Sequence, residues 1–186
     1  MAKNNIPDVK LLSPARFADE RGFFSETWNK KRLNDQGVDV DFVQDNHSLS
    51  FKKDIVRGLH FQSPPFSQAK LVRCGRGSLY DVAVDIRKGS PTFGDWVGHE
   101  LSFENGKQLF IPIGFLHGFI SLENNTEIIY KCSNYYAPEY DVTVRFNDPA
   151  FEIDWPLDSH TAILSDKDKS APFLKDLINP FKYIGP

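Results

Sequence analysis

Short runs in which apolar and polar residues alternate recur between turn signals from about residue 40 to residue 155. Alternation with a period of two is typical of strands, and a series of short strands separated by turns is typical of a β-sandwich or barrel. In the clearest run, 78–86, Tyr80 and Val82 share one face while Asp81 and Asp85 share the other. Further strands are predicted at 55–62, 69–74, 96–102, 107–111, 115–122 and 127–133.

Helix is a minor component of the prediction. One short helix is expected at 29–36, because Gly37 can form its C-terminal cap, and another at 171–178, because Pro172 suits a first turn. The sequence contains no internal repeat, low-complexity tract or linker, and 186 residues are enough for one well-packed domain. We therefore predict a single domain over 1–186, an all-β barrel with a few short peripheral helices.

Composition and charge indicate where in the cell the protein is located and which partners it can bind. With 40% apolar and 25% charged residues the chain has an ordinary soluble balance, and a formal charge of −3 argues against nucleic acid as a partner. No apolar run approaches membrane-spanning length, and the N-terminus lacks the apolar region of a secretory signal. Cys74 and Cys132 lie in apolar runs and are expected to be buried thiols in a reducing compartment. We expect a cytoplasmic protein without a membrane or nucleic-acid partner.

One segment carries two glycines, a proline and a histidine at fixed spacing, Gly106-x5-Pro112-x-Gly114-x2-His117. It resembles the second sequence motif of the cupin superfamily, which implies a jelly-roll barrel. In metal cupins this histidine is one ligand, and the others come from an H-x-H pair and a glutamate on an earlier strand. Here the earlier segment has His60 but glutamine, Gln62, in place of the second histidine. Two separated histidines with no nearby carboxylate make a poor zinc or iron site, so we predict neither metal nor cofactor.

Four polar residues stand in apolar strand contexts: His60, Lys70, His117 and Tyr130. Any one of them alone is more often a hydrogen-bonded core residue than a catalyst. Lys70 is harder to explain in this way, because a lysine inside a barrel loses solvation unless it meets an anion or a polarised oxygen. Alternation places Lys70 and Tyr130 on strand faces with apolar companions, which are Val72, Cys74, Ile128 and Cys132. Both polar tips are therefore predicted to point into the barrel and to form a site.

These residue types can move protons without a metal. Neutral histidine, with a pKa near ~6.5, can remove a proton, and tyrosine, with a pKa near ~10, can return one. A lysine can stabilise the enolate oxygen that forms when a proton leaves carbon next to a ketone. A base on one face and an acid on the other, around an enolate, is the apparatus of an epimerase.

Motifs along nearly the whole chain match one family in order: Asp19-Glu-Arg21-Gly-Phe-Phe24-x-Glu26, Gln44-Asp-Asn46-x-Ser48, Arg57-Gly-Leu-His60-Phe-Gln62, Gln68-Ala-Lys70, Asp81-Val-Ala-Val-Asp, Ile111-Pro-x-Gly-Phe-x-His117, Tyr130-x-Cys132, Tyr135-Tyr136-x-Pro138 and Leu164-Ser-x-Lys167-Asp168. They resemble the dTDP-4-dehydrorhamnose 3,5-epimerase family. The resemblance implies that His60 is the base, paired with Asp168, and that Tyr130 is the acid. It implies that Lys70 stabilises the enolate at C4 of the sugar.

The same resemblance implies a set of substrate contacts. His117 and Asp81 would line the sugar pocket, Arg57 and Lys167 would lie near the diphosphate, and Tyr136 would stack on thymine. The remaining positions match other ligand contacts: Gln44, Asp45, Asn46 and Asp141, where relatives often carry a longer acidic side chain. Arg21, Phe24 and Glu26 resemble residues that enter a neighbouring subunit's site, so a homodimer is implied.

Four functions are compatible with these residues. The first is epimerisation at C3 and C5 of dTDP-4-dehydro-6-deoxy-D-glucose to dTDP-4-dehydro-L-rhamnose, a step of dTDP-L-rhamnose biosynthesis. The second is epimerisation at one of these carbons on a related dTDP-4-keto-deoxysugar, which would use the same histidine, tyrosine and lysine. A metal-dependent cupin dioxygenase is a third, disfavoured by Gln62, and a non-catalytic nucleotide-sugar-binding module is the fourth. The module would leave the paired histidine, tyrosine and lysine without a purpose.

Overall fold

The computed structural model describes residues 6–157 and 162–185, which contain twelve strands, two short α-helices and two 3₁₀ turns. The strands are β1 Lys10–Leu12, β2 Arg16–Asp19, β3 Gly22–Ser25, β4 Gln44–Ser50, β5 Val56–Gln62, β6 Lys70–Arg76, β7 Ser78–Asp85, β8 Trp96–Ser102, β9 Gln108–Ile111, β10 Phe115–Ser121, β11 Thr126–Cys132 and β12 Asp141–Thr143. The helices are α1 Lys30–Asp35 and α2 Asp166–Lys169, and the 3₁₀ turns are Pro138–Tyr140 and Leu174–Asp176.

Ten of these strands form two antiparallel five-stranded sheets. The first sheet has the order β1-β9-β6-β11-β4 and the second has the order β12-β5-β10-β7-β8, while β2 and β3 form a separate hairpin. Strands far apart in sequence are therefore neighbours, as in a jelly roll. The predicted all-β, cupin-type fold is confirmed, and each strand predicted between 55 and 133 is present to within two residues at either end.

The two faces of the second sheet are both buried, for different reasons. Alternate residues such as Leu79 and Ala83 face Val72 and Ile128 of the first sheet and form the interior core of the barrel. On the other face, eight residues of the second sheet pack against the chain that follows β12, whose buried members are Val144, Phe146, Phe151, Trp155 and Phe181. The C-terminal segment is thus fixed on the outside of the second sheet, which determines where α2 can lie.

One helix prediction is confirmed and the other is wrong. Helix α1 begins after Asn29, whose side chain accepts a hydrogen bond from the amide of Arg32 at 3.1 Å, a standard N-cap. At 171–178 only the turn Leu174–Asp176 is helical. Tertiary bonds occupy this backbone instead, since the amide of Leu174 donates to Asp148 Oδ2 at 2.8 Å and Pro172 O accepts from Arg145 at 2.9 Å. Among the described residues, no helix is long and apolar enough to cross a membrane.

Candidate active site

Two adjacent strands of the second sheet place the two histidines side by side. His60 on β5 is directly opposite His117 on β10 in the antiparallel register. The strands approach closely at Gly58, which has φ +121°, and a Cβ at this position would lie 2.6 Å from the Cα of Gly118. Glycine is therefore required at this crossing, because any side chain would push the two histidine-bearing strands apart.

The facing sheet contributes a lysine and a tyrosine. Lys70 opens β6 and is paired in register with Cys132 on β11, and Tyr130 lies two residues before that cysteine. Of their companions on the same strand faces, Val72, Cys74 and Ile128 belong to the interior core and Cys132 is buried, as the alternation predicts. The histidines and the Lys70–Tyr130 pair consequently stand on opposite walls of the barrel.

All four side chains line one cavity of about 400 Å³. Arg57 from β5, Lys167 and Asp168 from α2, and the hydroxyls of Ser48 and Ser165 also belong to its polar lining. The C-terminal segment forms part of the wall because a parallel bridge joins Ile55 to Ile163. Polar side chains that converge in a cleft with apolar walls are typical of a small-molecule binding site.

His60 and Asp168 form a dyad although they are 108 residues apart in the sequence. His60 Nε2 lies 2.7 Å from Asp168 Oδ1, and the Ser165 hydroxyl donates to Asp168 Oδ2 at 2.7 Å. Burial opposes ionisation of Asp168, but the hydrogen bonds from His60 and Ser165 outweigh it and lower the pKa of the carboxyl. Because an ionised carboxylate can only accept, Nε2 of His60 carries the hydrogen and Nδ1 keeps its lone pair. In this tautomer Nδ1 is the nitrogen that can accept a proton.

His117 and Asp81 form a second dyad deeper in the barrel. His117 Nε2 lies 2.7 Å from Asp81 Oδ1, and Asp81 is fully buried. Burial lowers the pKa of His117 and outweighs the attraction of Asp81, so the imidazole is neutral at physiological pH. Asp81 Oδ2 has no hydrogen-bond partner within the described chain. A buried acceptor without a partner marks a place where a ligand hydroxyl or water can bind.

Lys70 and Tyr130 are both perturbed by burial. Desolvation lowers the pKa of the Lys70 ammonium, and Asp141 and Asp81 only partly oppose this effect. No ion pair or hydrogen bond holds that ammonium in residues 6–157 and 162–185. Burial also raises the pKa of the Tyr130 phenol, against a hydrogen bond with Asn46, so Tyr130 carries its proton at neutral pH. The wall opposite His60 therefore presents an unpaired lysine and a proton donor.

A smaller cavity of about 110 Å³ adjoins the first and shares His60, Lys70 and Tyr130 with it. It is also lined by Gln44, Asn46, Tyr136 and Asp141, four of the residues predicted to contact the substrate. Tyr136 is 57% exposed, and its backbone amide donates to Gln44 Oε1 at 2.8 Å. An exposed aromatic ring beside amide groups is a suitable platform for a nucleobase.

Gln62, which stands at the position of a metal ligand in metal cupins, has a structural task. Its amide nitrogen donates to Tyr135 O at 2.9 Å, and its carbonyl accepts from the Ala137 amide at 2.9 Å. These bonds fix the loop that carries Tyr136. Within the part of the chain that is described, no three His, Cys, Asp or Glu side chains are grouped so that they could hold a metal ion.

Four predicted contacts lie away from both cavities: Asp45, Arg21, Glu26 and Phe24. Alternation along β4 turns Asp45 outward, where it pairs with Lys131 at 3.0 Å. Arg21 pairs with Asp19 at the tip of the β2–β3 hairpin, and Glu26 lies 3.2 Å from Arg32. Phe24 is 69% exposed on the same hairpin.

Ser165 is a site residue to which the sequence pattern assigned no role. It caps α2, because its hydroxyl accepts from the Asp168 amide at 3.1 Å while also donating to the Asp168 carboxylate. The signal was present as the spacing Ser-x-x-Asp at 165–168, a capping-box pattern that predicts a helix start. The cap and the dyad are thus one structural unit.

Comparison with known proteins agrees with this geometry. The family model for dTDP-4-dehydrorhamnose 3,5-epimerase matches residues 3–176. A curated epimerase of this name from Salmonella typhimurium is 53% identical over 92% of this chain and 93% of its own length. A crystal structure of the Bacillus anthracis enzyme with TDP and PPi bound is 48% identical, covers 92% of this chain and 97% of its own, and superposes with a TM-score of 0.88.

The epimerase from Legionella pneumophila, solved in complex with dTDP-4-keto-L-rhamnose, is 44% identical. It covers 99% of this chain and 98% of its own, with a TM-score of 0.93. Both the match over 3–176 and the identities above 40% extend across the barrel and the C-terminal segment. The chain belongs to the dTDP-4-dehydrorhamnose 3,5-epimerase family.

Proposed function

We propose that this protein is an isomerase that epimerises C3 and C5 of dTDP-4-dehydro-6-deoxy-D-glucose and gives dTDP-4-dehydro-L-rhamnose. The observation that carries the proposal is the placement of the His60–Asp168 dyad and Tyr130 on opposite walls of one cavity. Inversion at carbon requires removal of a proton from one face and delivery to the other, which two opposed groups can do. Family membership supplies the substrate class.

The chemistry follows from the C4 ketone of the substrate. The hydrogens on C3 and C5 are acidic because the electron pair left on either carbon can pass into the carbonyl as an enolate. His60 removes the proton through Nδ1, and the Asp168 carboxylate stabilises the imidazolium that forms. Lys70 stabilises the enolate oxygen, where its unpaired ammonium gains the most. Tyr130 then protonates the same carbon from the opposite face, after which His60 loses its extra proton to solvent and Tyr130 regains one from it.

The remaining lining suits a nucleoside diphosphate. Arg57 and Lys167 in the larger cavity are cations that can contact the two phosphates. Tyr136, Gln44 and Asn46 in the smaller cavity can take the base. His117 and Asp81, at the deep end, can hold the sugar hydroxyls.

The test is proton NMR of the dTDP-keto sugar in deuterated water with purified protein. Deuterium should enter at both C3 and C5, and the L-configured product should accumulate. Label at only one carbon would instead establish the single-centre epimerase, and the absence of any label would refute the proposal. Activity should persist after dialysis against a chelator, whereas a dioxygenase would lose it.

We also propose a homodimer in which the β2–β3 hairpin enters the partner's site. Support comes from the exposure of Phe17, Phe23 and Phe24 on this hairpin, since exposed aromatic clusters of this kind usually meet a partner. Complementation tests it: a mixture of Arg21→Ala and His60→Asn subunits should regain activity, because each mixed dimer has one intact site. Failure to complement, with a monomeric mass in solution, would refute the exchange.

A cytoplasmic location is proposed as well. Cys74 and Cys132 are both buried free thiols, and burial raises the pKa of Cys74 to about 11. Unpaired thiols of this kind suit a reducing compartment. Fractionation of the source cells should recover the protein with the cytoplasmic markers, and recovery with the membrane or secreted fraction would refute the location.

A further inference from the structure

Lys167 and Asp141 form a close ion pair at the rim of the site. Lys167 Nζ lies 2.6 Å from Asp141 Oδ2, and the Tyr136 hydroxyl donates to the same oxygen at 3.3 Å. The Asp141 side chain is only 20% exposed, so its charge is less screened than that of a surface carboxylate. Oδ2 of Asp141 therefore contacts both the Lys167 ammonium on α2 and the hydroxyl of Tyr136, the exposed aromatic residue of the smaller cavity.

Arg57 and Lys167, the two cations proposed to contact the diphosphate, differ in this respect. The Arg57 guanidinium donates to the carbonyl of Leu49 at 3.2 Å, and within residues 6–157 and 162–185 no carboxylate is paired with it. Arg57 can accept a phosphate without losing an ion pair. Lys167 cannot accept a phosphate without such a loss, because its ammonium must first leave the Asp141 carboxylate.

We infer that Asp141 is an internal counter-ion that holds Lys167 in the empty site and competes with the ligand diphosphate for it. This inference rests on the proposed function, which supplies a nucleoside diphosphate as the ligand. The carboxylate also repels the incoming phosphates, so both effects weaken binding of the charged ligand. Asp141 would thus act as a positioning residue for Lys167 and not as a nucleotide ligand in its own right.

The pair has a structural benefit in the empty enzyme. Lys167 is followed by Asp168, and Asp141 opens β12, which pairs with β5, the strand of His60. Holding Lys167 on Asp141 keeps α2 against this edge of the sheet, where Asp168 meets His60. On binding, the diphosphate would replace Asp141 as the partner of Lys167.

Asp141→Asn separates this role from a direct ligand role, because the two predict opposite signs. If Lys167 is held in about 70–90% of empty molecules, its release should tighten dTDP binding by about 3- to 10-fold. If Asp141 instead binds the nucleotide directly, the same substitution should weaken dTDP binding. The measurement is titration calorimetry with dTDP and with thymidine, which has the base but no phosphate.

Two further variants serve as controls. Asp166→Asn removes the same charge from a fully exposed position on α2, where Asp166 pairs with Lys169 at 3.3 Å, and should leave dTDP affinity within about twofold. Lys167→Met should abolish the gain, so that adding Asp141→Asn to it improves dTDP affinity much less. Thymidine affinity should stay within about twofold in every variant. Asp141→Ser provides a second test if Asp141→Asn folds poorly.

The inference is confirmed by tighter dTDP binding in Asp141→Asn that depends on Lys167 and is absent with thymidine. Weaker dTDP binding in a folded Asp141 variant would overturn it and make Asp141 a ligand. A gain of equal size in Asp166→Asn, or one that persists without Lys167, would also overturn it, since long-range charge would then suffice. If the wild-type protein does not bind dTDP, the proposed function fails as well, so the two failures are distinguishable.

Discussion

Replacing Asp168 with asparagine tests whether the dyad sets the tautomer of the base. In the native site the Ser165 hydroxyl donates to Asp168 Oδ2, and His60 Nε2 faces Oδ1. In Asp168→Asn, the same serine bond places the amide oxygen at the Oδ2 position and the amide NH₂ towards His60. Nε2 must then accept, so the hydrogen moves to Nδ1. The nitrogen that faces the substrate can no longer take a proton.

The expected loss is that of a general base, about 10²- to 10⁴-fold in kcat, or about 3–5 kcal/mol in the activation barrier. Stability should fall as well, with a defined pH dependence. The folded-state pKa of Asp168 is lowered, so its ionised form stabilises the fold above the unfolded pKa of about 3.9, and this contribution disappears as pH falls through the folded pKa. The stabilities of the variant and the wild type should therefore differ at pH 7 and converge in acid.

The assay is deuterium wash-in and product formation at pH 7, together with urea unfolding at pH 7 and at about pH 3. Asp166→Asn is the matched control, because Asp166 lies on the same helix but is fully exposed and points away from His60. The control should keep wild-type rates. Wash-in by Asp168→Asn within tenfold of wild type would refute the tautomer argument, and His60 would then need another explanation.

Three more variants probe the opposite wall and the cap. Lys70→Met should lower kcat by about 10²–10³-fold with dTDP affinity within a few fold, measured by kinetics and calorimetry, because the charge acts mainly on the enolate. An affinity loss alone would place Lys70 at the nucleotide. Tyr130→Phe should keep deuterium wash-in but lose net epimerisation far more, and equal loss of both would return Tyr130 to a structural role. Ser165→Ala should lower kcat by about tenfold and the melting temperature by a few degrees, since a cap is worth about 1 kcal/mol. An unchanged kcat would show that the hydrogen bond from Ser165 does not position Asp168 for catalysis.

Seven of the ten strands in the two sheets, β5 to β11, could be predicted from the sequence because their residues follow a strong pattern. β8 was predicted with its observed ends, Trp96–Ser102. The other three sheet strands, β1, β4 and β12, were missed. The hairpin strands β2 and β3 were missed as well, since Arg16–Asp19 and Gly22–Ser25 are short and almost wholly exposed. A strand without a buried face gives no periodic signal. The helix predicted at 171–178 was wrong because its backbone forms hydrogen bonds with the distant residues Asp148 and Arg145 instead of a helical ladder.

The proposed catalytic side chains could be selected from the sequence, but their pairing could not be derived from local pattern. Alternation alone placed Lys70 and Tyr130 inward, and the structure agrees. The bond between His60 and Asp168 depends on the C-terminal segment crossing the outside of the second sheet, which no local pattern encodes. Only the family resemblance joined those two residues. The Asp141–Lys167 pair was predicted as two separate ligand contacts, because nothing in the sequence shows that β12 and α2 meet.

The groups of the site that are unfavourable for stability are groups to which the proposed function assigns a role. Within the described residues, the half-buried Lys70 ammonium has no ion pair or hydrogen bond and the buried Asp81 Oδ2 has no hydrogen bond, and each destabilises the fold. Lys70→Met should accordingly raise the melting temperature while it lowers the rate, since it removes an uncompensated charge from the interior. Asp168, by contrast, is fully bonded, so its loss should cost both stability and activity. If the melting temperatures of Lys70→Met and Asp168→Asn moved in the same direction, the distinction between a destabilising Lys70 and a stabilising Asp168 would be contradicted.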